Sequence, residues 1–107
     1  METKNKILRA IIRSENAYYF YSQDKKYFQA LRIYYANQII YKLLNEYIYE
    51  CEEIQMEQVT EYLFHLEDWF AQFEKEMIKI DNLNQEFVFY RFDNSIAFPK
   101  DFKKILL

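Results

Sequence analysis

The stretch MEQVTEYLFHLEDWFAQFEKEMIKI, residues 56–80, decides the fold. Apolar side chains fall at Met56, Val59, Leu63, Leu66, Phe70, Phe73, Met77 and Ile80, a 3-4-3-4-3-4-3 spacing. With 3.6 residues per helical turn, that spacing lines one side of a helix roughly seven turns long. Tyr62, Phe64, Trp69 and Ile78 are expected to widen this seam.

Working back, residues 24–51 read as a second helix with Ser22 as its N-cap. Phe28, Leu31 and Tyr35 cover one side of it, and Ile33, Ile40, Leu44 and Tyr47 another. A helix that is apolar on most sides is normally buried on most sides, so this one is either central or met by another chain. Residues 4–21 form the first helix, anchored by Ile7, Leu8, Ile11 and Ile12 and ending in Tyr18-Tyr19-Phe20-Tyr21. Beyond residue 80 the pattern divides. Phe87-Val88-Phe89-Tyr90 has strand character, and Asp93-Asn94-Ser95 would turn it into a hairpin with Ile96-Ala97-Phe98. Asn82 with Gln85 looks like an N-cap pair, and Leu83, Phe87 and Tyr90 keep helical spacing, which favours a short helix. Pro99 then opens a last turn or two through Phe102, Ile105 and Leu106. The expected fold is an all-α bundle in one domain, residues 1–107. It has three long helices and one or two short C-terminal ones, with a hairpin at 86–98 as the alternative.

The chain has 107 residues, 51% hydrophobic and 29% charged, which suits one globular domain and not a disordered segment. Residues 1–4 hold no apolar signal-peptide core, and the longest apolar runs reach about five residues against the roughly 20 of a membrane span. A single cysteine, Cys51, excludes an internal disulfide, so a cytoplasmic protein is expected. There is no glycine and one proline, so tight turns fall to Asp24, Asn45, Asp81-Asn82 and Asp93-Asn94. Loops that cradle phosphates need glycine for close backbone approach, which disfavours nucleotide binding. Phe, Tyr, Met, Ile, Asn and Lys make up nearly half of the residues. Their AT-rich codons point to a low-GC bacterium, or to one of its phages or mobile elements.

Charge is unevenly spread. Residues 1–45 carry a net of +5, residues 46–87 a net of −10 and residues 88–107 a net of +2. One account is internal attraction between oppositely charged helices. A second is an acidic docking face made by Glu53, Glu57, Glu61, Glu67, Asp68 and Glu74, which lie off the apolar seam. A third places phosphate contacts on Lys6, Arg9 and Arg13, which share a face of the first helix near a tyrosine cluster. The net charge of −3 weighs against this third account.

Catalytic chemistry finds little support. Glu61, His65 and Asp68 are spaced to share a helix face, but no second histidine exists to complete a bundle metal site. Acidic neighbours Glu50, Glu52 and Glu53 would raise the Cys51 pKa, the reverse of nucleophile activation. Neither a metal nor a cofactor is expected. The aromatics are more informative: 21% of the chain, with eleven tyrosines. A small core cannot take every phenol, and exposed tyrosines suit an interface, so Tyr34, Tyr41, Tyr47 and Tyr49 are candidate partner contacts.

The residues Leu66-Glu67-Asp68-Trp69-Phe70, then Glu86-Phe87-Val88-Phe89-Tyr90-Arg91-Phe92-Asp93-Asn94-Ser95 and on to Phe102, resemble the RteC family. Those proteins regulate conjugative elements and pair a helical N-terminal region with a DNA-binding winged helix. The likeness implies a mobile-element origin. No winged-helix counterpart appears up to Leu107, so DNA binding is not expected to carry over. In its general profile (small, acidic, glycine-free, helical) the chain also resembles anti-CRISPR inhibitors, which bind an effector nuclease or its guide-RNA complex. The leading expectation is a non-enzymatic inhibitor or regulator that binds such a protein. The alternatives are a nucleic-acid-associated regulator using the first helix, and a homodimeric scaffold.

Overall fold

A computed structural model of the chain describes residues 2–89. Three helices run in sequence: α1 (Glu2–Gln23), α2 (Tyr27–Tyr47) and α3 (Glu53–Met77). Among the described residues there is no strand beyond an isolated antiparallel bridge between Lys26 and Glu86. All three long helices expected from the apolar spacing are present. No helix among the described residues is long and apolar enough to cross a membrane.

The buried residues fix the directions of the helices. Ile7 and Ile11, early in α1, cluster with Ile40, Leu44 and Tyr47 late in α2, and with Val59, Leu63 and Leu66 early in α3. Ala17, Tyr18 and Tyr21, late in α1, cluster with Tyr27, Ala30, Ile33 and Tyr34 early in α2, and with Trp69 and Phe73 late in α3. The helices therefore run up, down and up, with α2 antiparallel to both neighbours and packed against each of them. Small residues Ala10, Ser14 and Ala17 lie on the buried side of α1, where they let α2 approach closely. Between the two clusters the Ser14 hydroxyl donates to Asn37 Oδ1 at 2.8 Å, and both residues are buried. This is how a buried polar pair avoids the cost of an unmade hydrogen bond.

The start of α2 differs from the sequence expectation. Ser22 is not its N-cap; it sits in the last turn of α1 with its hydroxyl bonded to the Tyr19 carbonyl at 2.6 Å. Lys26 holds the N-cap position and offers no side-chain cap. The free N–H groups of the first turn are satisfied from afar. Tyr27 N–H donates to the Gln85 carbonyl at 2.9 Å and Phe28 N–H to the Leu83 carbonyl at 3.0 Å. In return Phe87 N–H donates to the Lys25 carbonyl at 2.9 Å. Helix starts normally take such bonds from a local side chain, so here residues 83–87 act as a cap.

That segment is not the short helix favoured from spacing. Phe87 and Phe89 are buried while Val88 is exposed, the period-two alternation of extended chain. The Tyr21 hydroxyl donates to the Phe87 carbonyl, which fixes it further. The hairpin partner at 96–98 and the turn opened by Pro99 lie outside the described residues.

No described residue takes a positive φ. The chain turns instead through backbone bonds and Asx geometry, with Asn84 N–H donating to Asn82 Oδ1 at 3.0 Å. Asn45 is not a turn residue; it lies inside α2 and donates to the Tyr41 carbonyl at 3.1 Å. On α3 the seam holds at Val59, Leu63, Leu66 and Phe73, and Trp69 joins it. Met56, Phe64 and Ile78 do not: they are exposed. Phe64 follows a seam position by one residue, a rotation of roughly 100° that carries it to the outer side.

Candidate functional site

The acidic residues of α3 stand where an amphipathic helix must put them. With Val59, Leu63, Leu66 and Phe73 turned inward, Glu53, Glu57, Glu61, Glu67, Asp68 and Glu74 are all exposed. The helix carries seven acids against Lys75, a net of −6 before His65 is counted. Glu53, Glu57 and Glu61 follow at intervals of four residues, about 6 Å of rise each. They share a shallow depression of about 530 Å³ with Met56, Thr60 and Phe64. Met56 is 41% exposed and Phe64 65%. Apolar contact area is thus interleaved with carboxylates at the first half of α3.

Some of the charge is met by neighbours on the same stretch of chain. Lys6 lies 4.0 Å from Glu2, His65 3.8 Å from Glu61 and Lys79 3.0 Å from Glu76, each three or four residues apart. Further along α3, Glu67 Oε1 accepts from the Tyr41 hydroxyl at 2.6 Å. That bond, followed by burial, raises the Tyr41 pKa. Glu74 lies close enough to Tyr34 to raise its phenol pKa too, after the larger effect of burial.

The tyrosine candidates divide. Tyr34 and Tyr47 are core residues and not surface contacts. Tyr34 stacks on Phe73 at 5.0 Å between centroids and on Trp69 at 6.4 Å. Tyr47 is buried with its hydroxyl donating to Gln55 Oε1 at 3.2 Å. Tyr41 is half-buried, and Tyr49 is 89% exposed in the α2–α3 connection. Tyr19 and Tyr35, not among the four candidate contacts, are exposed as well.

On α1, Lys6, Arg9 and Arg13 are all exposed, as their shared spacing implies. Phe20 lies on the same side, seven residues past Arg13, and the Arg32 guanidinium of α2 sits 5.1 Å above its ring. Sequence reasoning missed this pairing because it depends on how α1 and α2 align. The outer side of α1 also holds a shallow depression of about 620 Å³ lined by Glu2, Asn5, Leu8, Arg9 and Ile12.

The chain matches no family model, no curated protein and no solved structure. What it can do must come from its own residues. His65 is exposed, with Nε2 3.8 Å from Glu61 Oε1. Among the described residues no three His, Cys, Asp or Glu side chains converge as metal ligands would. Burial raises the Cys51 pKa, partly offset by a backbone hydrogen bond. The direction is the one expected, but the cause is desolvation and not the neighbouring glutamates. A thiol held protonated is a poor nucleophile.

Proposed function

We propose that this protein is a non-enzymatic inhibitor or regulator that docks the outer side of α3 on a positively charged surface of a protein partner. One observation carries the reading. Met56 and Phe64 are exposed among Glu53, Glu57 and Glu61, in a shallow depression of one helix. An apolar anchor ringed by charge has the make-up of an interface: the ring is desolvated for affinity, and the carboxylates steer and select a cationic surface. The likeness in profile to anti-CRISPR inhibitors makes an effector nuclease, free or with its guide RNA, the partner to try first. There the acidic helix would lie in a groove that otherwise holds nucleic acid.

The test measures affinity for a purified effector complex using the wild-type chain, Glu57→Lys with Glu61→Lys, and Phe64→Ala. Each substituted position is exposed, so circular dichroism should be unchanged. Binding is expected to weaken at least about tenfold in both variants, about 1.4 kcal/mol and the scale at which an interface residue matters. Equal affinity for all three proteins would remove α3 as the docking face.

A further inference from the structure

We propose a second, independent surface: the seam between α1 and α2 on the side of Phe20 and Arg32 binds single-stranded nucleic acid. Lys6, Arg13 and Phe20 recur every seven residues, with Arg9 beside them, so they share one stripe of α1. The stripe crosses to α2 at Phe20, where the Arg32 guanidinium lies 5.1 Å from the ring centroid. Phe20 remains 44% exposed, and Tyr19 meets it edge-on at 5.6 Å. Arg32 also donates to Gln29 Oε1 at 3.3 Å, which steadies the guanidinium plane.

The chemistry of the seam selects the occupant. Positive charges in a row match the phosphates of a backbone. A guanidinium beside an exposed aromatic ring offers a cation and a π-face to an unstacked base, a platform that a duplex cannot use because its bases are already stacked. The net negative charge of the chain does not forbid this. The acids of α3 project from the side of that helix opposite its core seam, whereas Phe20 and Arg32 meet across α1 and α2. Among the described residues of α1 and the α1–α2 turn, the acids on this side are Glu2, which pairs with Lys6 at 4.0 Å, and Asp24.

The experiment is fluorescence anisotropy of a short labelled single-stranded RNA, and of the DNA of the same sequence, with the full chain. Neutralising three or four phosphates predicts a roughly 20- to 50-fold loss of affinity between about 50 and about 200 mM salt. Arg13→Glu with Arg32→Glu should abolish binding, and Phe20→Ala should weaken it at least about fivefold. Glu57→Lys with Glu61→Lys should not weaken it, which separates this surface from the α3 docking face. Absence of binding at about 50 mM salt overturns the proposal, as does equal loss in the α3 variant. So does a doubled mass by light scattering without RNA binding, which would give the seam to the acidic helix of a second copy.

Discussion

At one end of the bundle the core is aliphatic: Ile7, Ile11, Ile40, Leu44, Val59 and Leu66 close it, with Tyr47 at its edge. At the other end it is aromatic. Tyr18, Tyr21, Tyr27, Tyr34, Trp69 and Phe73 fill it, and Phe87 and Phe89 come from beyond the helices to finish it. The buried Ser14–Asn37 bond stands between them. Among the described residues, the branched aliphatic chains of that first end come from the three helices alone. Large rings present more surface to cover and carry hydroxyls that need acceptors, and the aromatic end takes an added layer of extended chain. The Phe87 carbonyl receives the Tyr21 phenol there, and the Phe87 ring lies against Tyr27 at 5.3 Å. The two candidate surfaces divide in the same way. The acidic depression of α3 begins beside the aliphatic end, and the Phe20–Arg32 pair lies beside the aromatic one.

The sharpest test of this division is truncation at each end. Phe73→Ala is expected to cost about 3–5 kcal/mol and Leu66→Ala about 2–5 kcal/mol by urea unfolding. The size alone will not separate the ends; a second readout will. Phe73 meets Phe87 at 5.2 Å and Phe89 at 5.3 Å. Its loss should therefore speed hydrogen exchange at the Tyr27 and Phe28 amides beyond what the global loss explains, and Leu66→Ala should not. Equal acceleration would mean that the core behaves as one unit.

A smaller effect is expected at the divide. Asn37→Ala strands the Ser14 hydroxyl and should cost about 1–3 kcal/mol, whereas Ser14→Ala together with Asn37→Leu should come close to neutral. A double-mutant cycle measures the difference. Strict additivity would show that the bond does not join the two ends.

The smallest effect concerns pH. Burial is the first cause of the raised phenol pKa values of Tyr27 and Tyr34 at the aromatic end and of Tyr47 at the aliphatic end. A folded-state value above 10.0 means that folding favours the protonated phenol. The contribution is whole below pH 10.0 and is lost as pH rises through the higher native values. Unfolding free energy should fall above about pH 10, and Tyr47→Phe should leave most of that fall in place. If Tyr47→Phe removes it, the aliphatic end is the alkaline-sensitive one.

The helices were legible because apolar residues recur in each at helical spacing, and the acidic candidates because a charge off the α3 seam has nowhere to go but solvent. The start of α2 was not legible. Its cap comes from carbonyls some sixty residues later in the chain, at Leu83 and Gln85, and a backbone carbonyl has no signature in sequence. The extended run at 86–89 was masked by Leu83 and Phe87, whose spacing fits a helix equally well. Tyr34 and Tyr47 misled because a phenol was equated with surface; a stack on Phe73 and a bond to Gln55 bury them instead. Phe64, expected to widen the seam, is exposed instead and gives the acidic face its apolar anchor. The Phe20–Arg32 contact needed the alignment of α1 with α2, which only packing decides.

The remote cap has a consequence for how such a chain can diverge. Loop-closure entropy rises slowly with length, by about 0.6 kcal/mol for each doubling of a flexible loop. The α2–α3 connection, with Tyr49 and Glu50 in solvent, can therefore lengthen at little cost. Residues 83–87 have no such latitude: one residue removed slides every carbonyl away from the amide it serves and turns Phe87 to the wrong face. Descendants of this sequence should vary in length after α2 and hold length fixed between Ile80 and Phe89, whatever becomes of the side chains between.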